Sequence, residues 1–104
     1  MIGLLQANLP AIRALCERHR VRSLSVFGSA TSHGFNPATS DLDFLVEFLP
    51  DAPRTGLSGA YFALRDDLAA LLGRPVDLLE APALTNPFVA ASIEQSKVSL
   101  YAAA

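Results

Sequence analysis

Apolar residues recur every three or four positions in three stretches of the chain, which is the spacing of one face of an α-helix. These stretches are 8–20, 57–72 and about 86–95. Pro10 suits the first turn of the first helix, because a backbone N–H would have no helical partner there. Gly73 and Pro75 predict the end of the second helix, since glycine favours the left-handed position after a helix and proline cannot continue it.

Short apolar runs lie between these helices and predict β-strands at 21–27, 41–48, 76–79 and 97–101. In the second run the apolar side chains of Leu42, Phe44 and Val46 alternate with other residues. Side chains on a strand point alternately to opposite faces, so these three are expected to face a core. The first two runs are joined by a segment too short for an ordinary parallel crossover, which predicts that their strands are antiparallel.

The predicted order is helix, strand, a short helical turn after Ser29, strand, helix, strand, helix and strand. That alternation indicates an α/β or α+β layer in which helices flank a small mixed β-sheet. The 104 residues, of which 51% are hydrophobic, are enough for one domain with its own core, which we place at residues 1–104.

Composition narrows the classes of partner. A net charge of −2 argues against a surface that coats nucleic acid, so no direct nucleic-acid partner is expected. Cys16 is the only cysteine and lies in a helical pattern, which favours a small core residue in a reducing cytoplasm. No apolar run approaches the roughly 20 residues of a membrane helix, and the first residues do not resemble a signal peptide. We therefore expect a cytoplasmic protein without a membrane partner.

A basic cluster lies between the first helix and the first strand. It consists of Arg18, His19, Arg20 and Arg22. Cations at the C-terminal end of a helix are favoured by the helix dipole, so a solvated helix end explains the cluster. A contact with an anion or a partner is the alternative.

The chemistry of the chain is concentrated in residues 26–47, which read VFGSATSHGFNPATSDLDFLVE. Asp41 and Asp43 belong to the same predicted strand and point to the same face, about 7 Å apart. Carboxylate oxygens at this spacing can bridge Mg²⁺, which prefers oxygen ligands and often shares them with phosphates. Two exposed acids on an edge strand are the simpler alternative, although aspartate is unusual at the start of so apolar a strand.

A strand-to-turn break precedes this pair of acids, at Gly28 and Ser29. Glycine lets the backbone approach a ligand closely, and Ser29 could open a short helix whose free N–H groups face an anion. The alternative is a tight turn followed by a helix cap. Asp77 interrupts another apolar strand and is a third candidate ligand or a general base, unless it is a strand-edge acid paired with Arg74. A phosphate cradle beside paired carboxylates is the layout of nucleotidyl transfer.

The Gly28-Ser29 pair followed by Asp41-Leu42-Asp43 resembles the signature of the DNA polymerase beta-like nucleotidyltransferase superfamily. More narrowly, the chain resembles the minimal, MNT-type nucleotidyltransferases that act as antitoxins beside HEPN-domain toxins, and the resemblance covers nearly the whole sequence. It implies a polymerase beta-like nucleotidyltransferase core in which Asp77 supplies a third carboxylate. One position departs from the family pattern, because Ser32 stands where these proteins often have arginine.

The resemblance implies that ATP binds with its triphosphate at Gly28 and Ser29 and across two Mg²⁺ ions held by Asp41, Asp43 and Asp77. The product would carry AMP on a tyrosine hydroxyl of a cognate HEPN RNase toxin, with which the protein could form a hetero-oligomer, or it could form a homo-oligomer. Two alternatives remain open. The protein could neutralise its partner by binding alone, with a degenerate site, or it could be an adaptor that binds no nucleotide.

Overall fold

The computed structural model describes residues 3–28, 42–52, 59–80 and 86–103. In chain order the elements are α1 (Gly3–Ala7), α2 (Leu9–Arg18), β1 (Val21–Phe27), β2 (Leu42–Phe48), α3 (Ala60–Leu72), β3 (Val76–Glu80), α4 (Pro87–Ser96) and β4 (Val98–Ala102). The predicted alternation of helices and strands is confirmed, and the short helix α1 is an addition to it. The predicted helical turn after Ser29 lies outside the described residues.

The four strands form one mixed sheet in the order β3-β2-β1-β4. β1 pairs antiparallel with both β2 and β4, whereas β2 and β3 are parallel. The mixed sheet and the antiparallel pairing of the first two strands are therefore as predicted.

One face of this sheet, which we call the core face, carries the buried apolar residues. Leu42, Phe44 and Val46 of β2 are completely buried there, as the alternation in the sequence predicts. The helices α2 and α3 close the core, and their fully buried members include Ile12 and Leu68. Burying a side chain of this size stabilises the fold by about 1.5–3 kcal/mol, so the core face dominates the stability of the chain.

Two helix boundaries differ from the predicted ones. The helix expected to reach residue 20 ends at Arg18, because Arg20 adopts a left-handed φ of 58° and its carbonyl accepts a hydrogen bond from the Leu49 N–H at 2.9 Å. The helix expected to begin at residue 57 begins at Ala60, since Gly59 is extended with a ψ of 150°. The predicted helix end is confirmed at Gly73, whose φ is 67°. No helix in the described ranges is long and apolar enough to cross a membrane.

Candidate active site

Two of the predicted acids lie side by side on the face of the sheet opposite the core face. Asp43 of β2 and Asp77 of β3 are register partners in the parallel pairing. Neighbouring strands are about 4.8 Å apart, and register partners point to the same side, so the two carboxyl groups share one patch of surface. Asp43 is half-buried and Asp77 is exposed. We call this face, which carries Asp43, Leu45 and Asp77, the site face.

Gly28 borders Asp43 at the end of β1, where the antiparallel register pairs Phe27 with Asp43. Its φ of 74° lies in the left-handed region that residues with a side chain rarely adopt. A Cβ atom at this position would also lie 2.9 Å from Oδ2 of Asp43, which is closer than atoms normally approach. The glycine therefore leaves the space that the Asp43 carboxylate occupies.

Ser96, the last residue of α4, contacts the same glycine. The Gly28 N–H donates a hydrogen bond to Ser96 Oγ at 3.5 Å, and the Ser96 hydroxyl donates in turn to the Ser92 carbonyl at 3.3 Å. This contact places the C-terminal end of α4 beside the candidate site. The sequence contains no signal for it, because the two residues are 68 positions apart and Ser96 belongs to no motif.

Tyr61 holds the strand that carries Asp77. Its hydroxyl on α3 donates a hydrogen bond of 2.5 Å to the carbonyl of Leu78, the residue after Asp77. Since β3 is an edge strand of the sheet, it has β2 as a strand neighbour on one side only. The tyrosine thus supplies a side-chain contact that positions Asp77 against Asp43.

Comparison with known proteins identifies the family of the chain. The profile of the nucleotidyltransferase domain family matches residues 11–100. The chain belongs to this family. A protein of Methanocaldococcus jannaschii named "Putative protein adenylyltransferase" is 38% identical over 90 residues, which are 83% of each chain. The expectation of an enzyme of the nucleotidyltransferase class is therefore confirmed.

Solved structures give the same result for the fold. A structure described as a putative minimal nucleotidyltransferase is 33% identical and has a TM-score of 0.73, and the match covers 93% of this chain and 95% of that one. A tri-AMPylated Shewanella oneidensis HEPN toxin in complex with its MNT antitoxin matches at 19% identity with a TM-score of 0.65, over 94% of this chain and 72% of that one. The resemblance to minimal nucleotidyltransferases and the predicted fold are both confirmed.

Two other predicted site residues of this nucleotidyltransferase, Ser29 and Asp41, lie outside the described residues, as does Ser32. Their assignment stays a prediction. Within the described ranges no three His, Cys, Asp or Glu side chains form a metal-binding group. Asp43 and Asp77 supply carboxylate oxygens on adjacent strands beside a glycine, and this donor set fits Mg²⁺.

The alternative for Asp77 was an ion pair with Arg74. This pair is not formed, and no salt bridge in the described part of the chain includes Asp77. The carboxylate of this exposed strand residue is thus accessible on the site face.

Three of the four residues of the basic cluster have acidic partners within the fold. His19 Nε2 lies 2.6 Å from Asp67 Oδ2, which joins α2 to α3, and Arg20 Nη2 lies 2.7 Å from Asp51 Oδ2. The Arg22 guanidinium lies 3.7 Å from the Glu47 carboxylate. These distances support the interpretation of the cluster as a helix end within the fold rather than an anion site.

Cys16 does not contribute a nucleophile. Its side chain is completely buried between α2 and the sheet. Burial, with a smaller effect of the negative charge of Glu17, raises the pKa of the thiol to about 12. Because the thiolate is the reactive form of cysteine, this residue stays unreactive at neutral pH, as expected for a core residue.

Proposed function

We propose that this nucleotidyltransferase moves AMP from ATP to a hydroxyl group, that of a tyrosine, on a HEPN-domain toxin, and that it acts in the cytoplasm as the antitoxin. The observation that carries the proposal is the alignment of Asp43 with Asp77 beside Gly28. The adenylyltransferase name of the Methanocaldococcus jannaschii relative and the AMPylated toxin bound to the Shewanella oneidensis antitoxin support it.

The carboxylates have the first role. Asp43 and Asp77, together with Asp41 two positions earlier in the sequence, would hold Mg²⁺, two ions in the usual two-metal arrangement. When bound, the metal lowers the pKa of the acceptor hydroxyl and neutralises charge on the departing pyrophosphate. Gly28 keeps the Asp43 carboxylate in place by leaving room for it, and its position at the end of β1 supports the role of Gly28 and Ser29 as the triphosphate cradle.

The transfer itself exchanges one bond for another. The acceptor oxygen forms a bond to the α-phosphorus of ATP, while the bond from that phosphorus to the oxygen of the pyrophosphate breaks. The hydroxyl proton is released, and in this proposal Asp77 would accept it or would act as a ligand of the metal. The products are a phosphodiester of AMP on the acceptor and free pyrophosphate.

The exposure of the site face supports a second protein as the acceptor. Asp77 is exposed and Asp43 is half-buried, so the described residues leave this pair open to solvent. A docked partner would add walls that the described residues do not form, and it would hold its hydroxyl in line with the α-phosphate. Such positioning is a large source of rate enhancement. The net charge of −2 also favours a protein acceptor over a nucleic acid.

The test is intact-mass spectrometry of a HEPN-type partner encoded beside this protein, after incubation with the full chain, ATP and Mg²⁺. We expect the partner to gain AMP units, and Asp43→Asn to abolish the gain because a ligand charge is lost without a change of shape. The matched control is Asp66→Asn, since Asp66 is an exposed aspartate on α3. Chelation of Mg²⁺ with EDTA should stop the transfer.

A second readout separates the alternative function. If the mass of the partner is unchanged while its RNase activity is suppressed by stoichiometric addition of this protein, inhibition by binding alone replaces the proposed transfer. If Asp43→Asn transfers AMP as fast as the unsubstituted protein, the assignment of the site is wrong.

A further inference from the structure

Helix α4 has an exposed face that carries no charge. Four exposed residues of this helix are spaced at i, i+3, i+4 and i+7, so they form one stripe along its outside. We call them the outer stripe, and they are Phe88, Ala91, Ser92 and Gln95. The single charged residue within α4 is Glu94, which lies off the stripe and pairs with Lys97 at 2.7 Å. The outer stripe is therefore a neutral surface with an aromatic ring near its N-terminal end.

Phe88 is exposed without a contact that explains its position. Its exposed fraction is 85%, against 38% for Phe62, the other exposed large hydrophobic residue of the described chain. The ring of Phe62 packs edge-on against Tyr61 with 5.1 Å between the centroids, and the Arg65 guanidinium lies 5.0 Å from it. Among the described residues Phe88 has neither kind of ring contact. Because exposure of a large apolar side chain to water is unfavourable, a partner that covers Phe88 gains affinity.

The first turn of α4 holds Phe88 in a fixed position. The Phe88 N–H donates a hydrogen bond of 2.9 Å to Asn86 Oδ1, and Pro87 is the first residue of the helix, where no N–H partner is needed. An aromatic side chain on such a capped helix loses little conformational freedom when a partner binds. Phe88 is thus suited to be the anchor of an interface.

The outer stripe faces the same side of the molecule as Asp43 and Asp77. Ala90 and Ile93, on the opposite side of α4, line a cavity together with Leu45 of the site face. Ile93 is 4% exposed, so α4 packs on the site face through this side of the helix. The outer stripe therefore points away from the sheet, in the direction that the two carboxylates also face.

The distance from the outer stripe to the carboxylates is within the width of one interface. Ser96, the last residue of α4, accepts a hydrogen bond from Gly28, which borders Asp43. Phe88 lies eight residues earlier, or about 12 Å along the helix axis. A protein interface of ordinary size covers about 800 Å² on each partner, which is a patch roughly 30 Å across. A protein whose hydroxyl reaches Asp43 is therefore wide enough to cover the outer stripe as well.

We infer that the outer stripe, with Phe88 as its anchor, is a docking surface for the acceptor protein. This inference rests on the proposed function, since the HEPN-domain protein that receives AMP is taken to be the occupant. An uncharged surface with an aromatic residue is typical of the core of a protein–protein interface. Nucleic acids and anionic membranes are bound by lysine and arginine side chains, which the outer stripe lacks.

The test measures the affinity of the HEPN-type partner for the full chain by biolayer interferometry, together with the rate of AMP transfer at several partner concentrations. We expect Phe88→Ala to weaken binding of the partner by at least about tenfold. The KM for the partner should rise by a similar factor, whereas kcat at saturating partner and the binding of Mg²⁺-ATP should be unchanged, because the lost contact is made equally before and during transfer.

A second substitution has a matched control. Ala91→Arg places a charge in the middle of the outer stripe and should also weaken binding of the partner by at least about tenfold. Ala70→Arg makes the same change at an exposed alanine of α3, which packs against the core face, and should leave the affinity unchanged. Circular dichroism checks that each variant is folded.

The outcomes separate this inference from the proposed function. If folded Phe88→Ala and Ala91→Arg proteins both bind the partner normally and transfer AMP to it, the inference is overturned while the proposed function stands. If both variants lose affinity but the unsubstituted protein transfers no AMP, the proposed transfer fails while the docking surface stands. If light scattering shows a dimer of the unsubstituted protein that Phe88→Ala dissociates, with unchanged affinity for the partner, a second copy occupies the outer stripe and the inference is overturned.

Discussion

Adding one methyl group at Gly28, as Gly28→Ala does, tests the contact of this position with Asp43 separately from its backbone conformation. Gly28 and Gly73 have nearly the same left-handed φ, 74° and 67°. A Cβ atom added at Gly73 has no neighbour within 4 Å, whereas one added at Gly28 lies 2.9 Å from the Asp43 carboxylate. Gly73→Ala is therefore a matched control that carries the conformational strain without the contact.

The expected free energies follow from these two geometries. The left-handed conformation costs a residue with a Cβ about 1–2 kcal/mol, which both alanine variants should lose from their free energy of unfolding. At Gly28 the contacted atom is the end of a side chain that can rotate away, and an off-rotamer side chain costs about 0.5–1.5 kcal/mol more. Gly28→Ala should thus remain folded, with an Asp43 carboxylate that is displaced from the position needed for transfer.

Urea denaturation and the AMP-transfer assay measure the two effects separately. We expect Gly73→Ala to keep the transfer rate of the unsubstituted protein and Gly28→Ala to lose most of it. In an Asp43→Ala background the clash is absent, so adding Gly28→Ala should cost no more stability than Gly73→Ala does. Equal transfer rates for folded Gly28→Ala and Gly73→Ala would refute the reasoning, as would an unchanged stability cost in the Asp43→Ala background.

Two further predictions concern contacts outside the carboxylate pair. Tyr61→Phe removes the hydrogen bond to the Leu78 carbonyl and should lower the free energy of unfolding by about 1 kcal/mol, as measured by urea denaturation. An unchanged urea midpoint would contradict a stabilising role of this hydrogen bond. The hydrogen bond from Arg20 holds the pKa of Asp51 below its usual value. The stability from this pair is hence present above the ordinary aspartate pKa and lost as the pH falls through the lowered one. The difference in urea midpoint between the unsubstituted protein and Asp51→Asn should therefore shrink as the pH falls through the lowered pKa of Asp51. Because the pair is exposed, the difference should also shrink with added salt. A difference in midpoint that does not depend on pH would contradict the stabilising role of the Arg20–Asp51 pair.

The faces of the strands could be predicted from the sequence, because they depend on alternation within a few residues. Leu42, Phe44 and Val46 are buried as the pattern indicates, and Asp43 lies on the other face. The adjacency of Asp43 and Asp77 could not be read from the same pattern. It depends on the parallel register of β2 with β3, which is set by packing of the whole sheet and by contacts such as that of Tyr61.

The remaining differences also come from contacts that are distant in sequence. The early end of α2 depends on the hydrogen bond between Arg20 and Leu49, and the contact of Ser96 with Gly28 depends on where α4 lies over the sheet. The basic cluster had two interpretations because its acidic partners could not be identified before the fold was known. Asp67 on α3, which contacts His19, is one such partner.

The two faces of the sheet differ in burial, and under the proposed function this difference separates the core from the active site. The core face has α2 and α3 packed against it, and its β2 residues are fully buried. The site face has α4 over one part, and its β2 residues Asp43, Leu45 and Glu47 are only half-buried. Residues on this face are therefore available for a nucleotide and an acceptor, because the fold does not need them for its core. Residues 3–28, 42–52, 59–80 and 86–103 form no outer wall over Asp43 and Asp77, which is the physical reason to expect that a partner protein completes the proposed site.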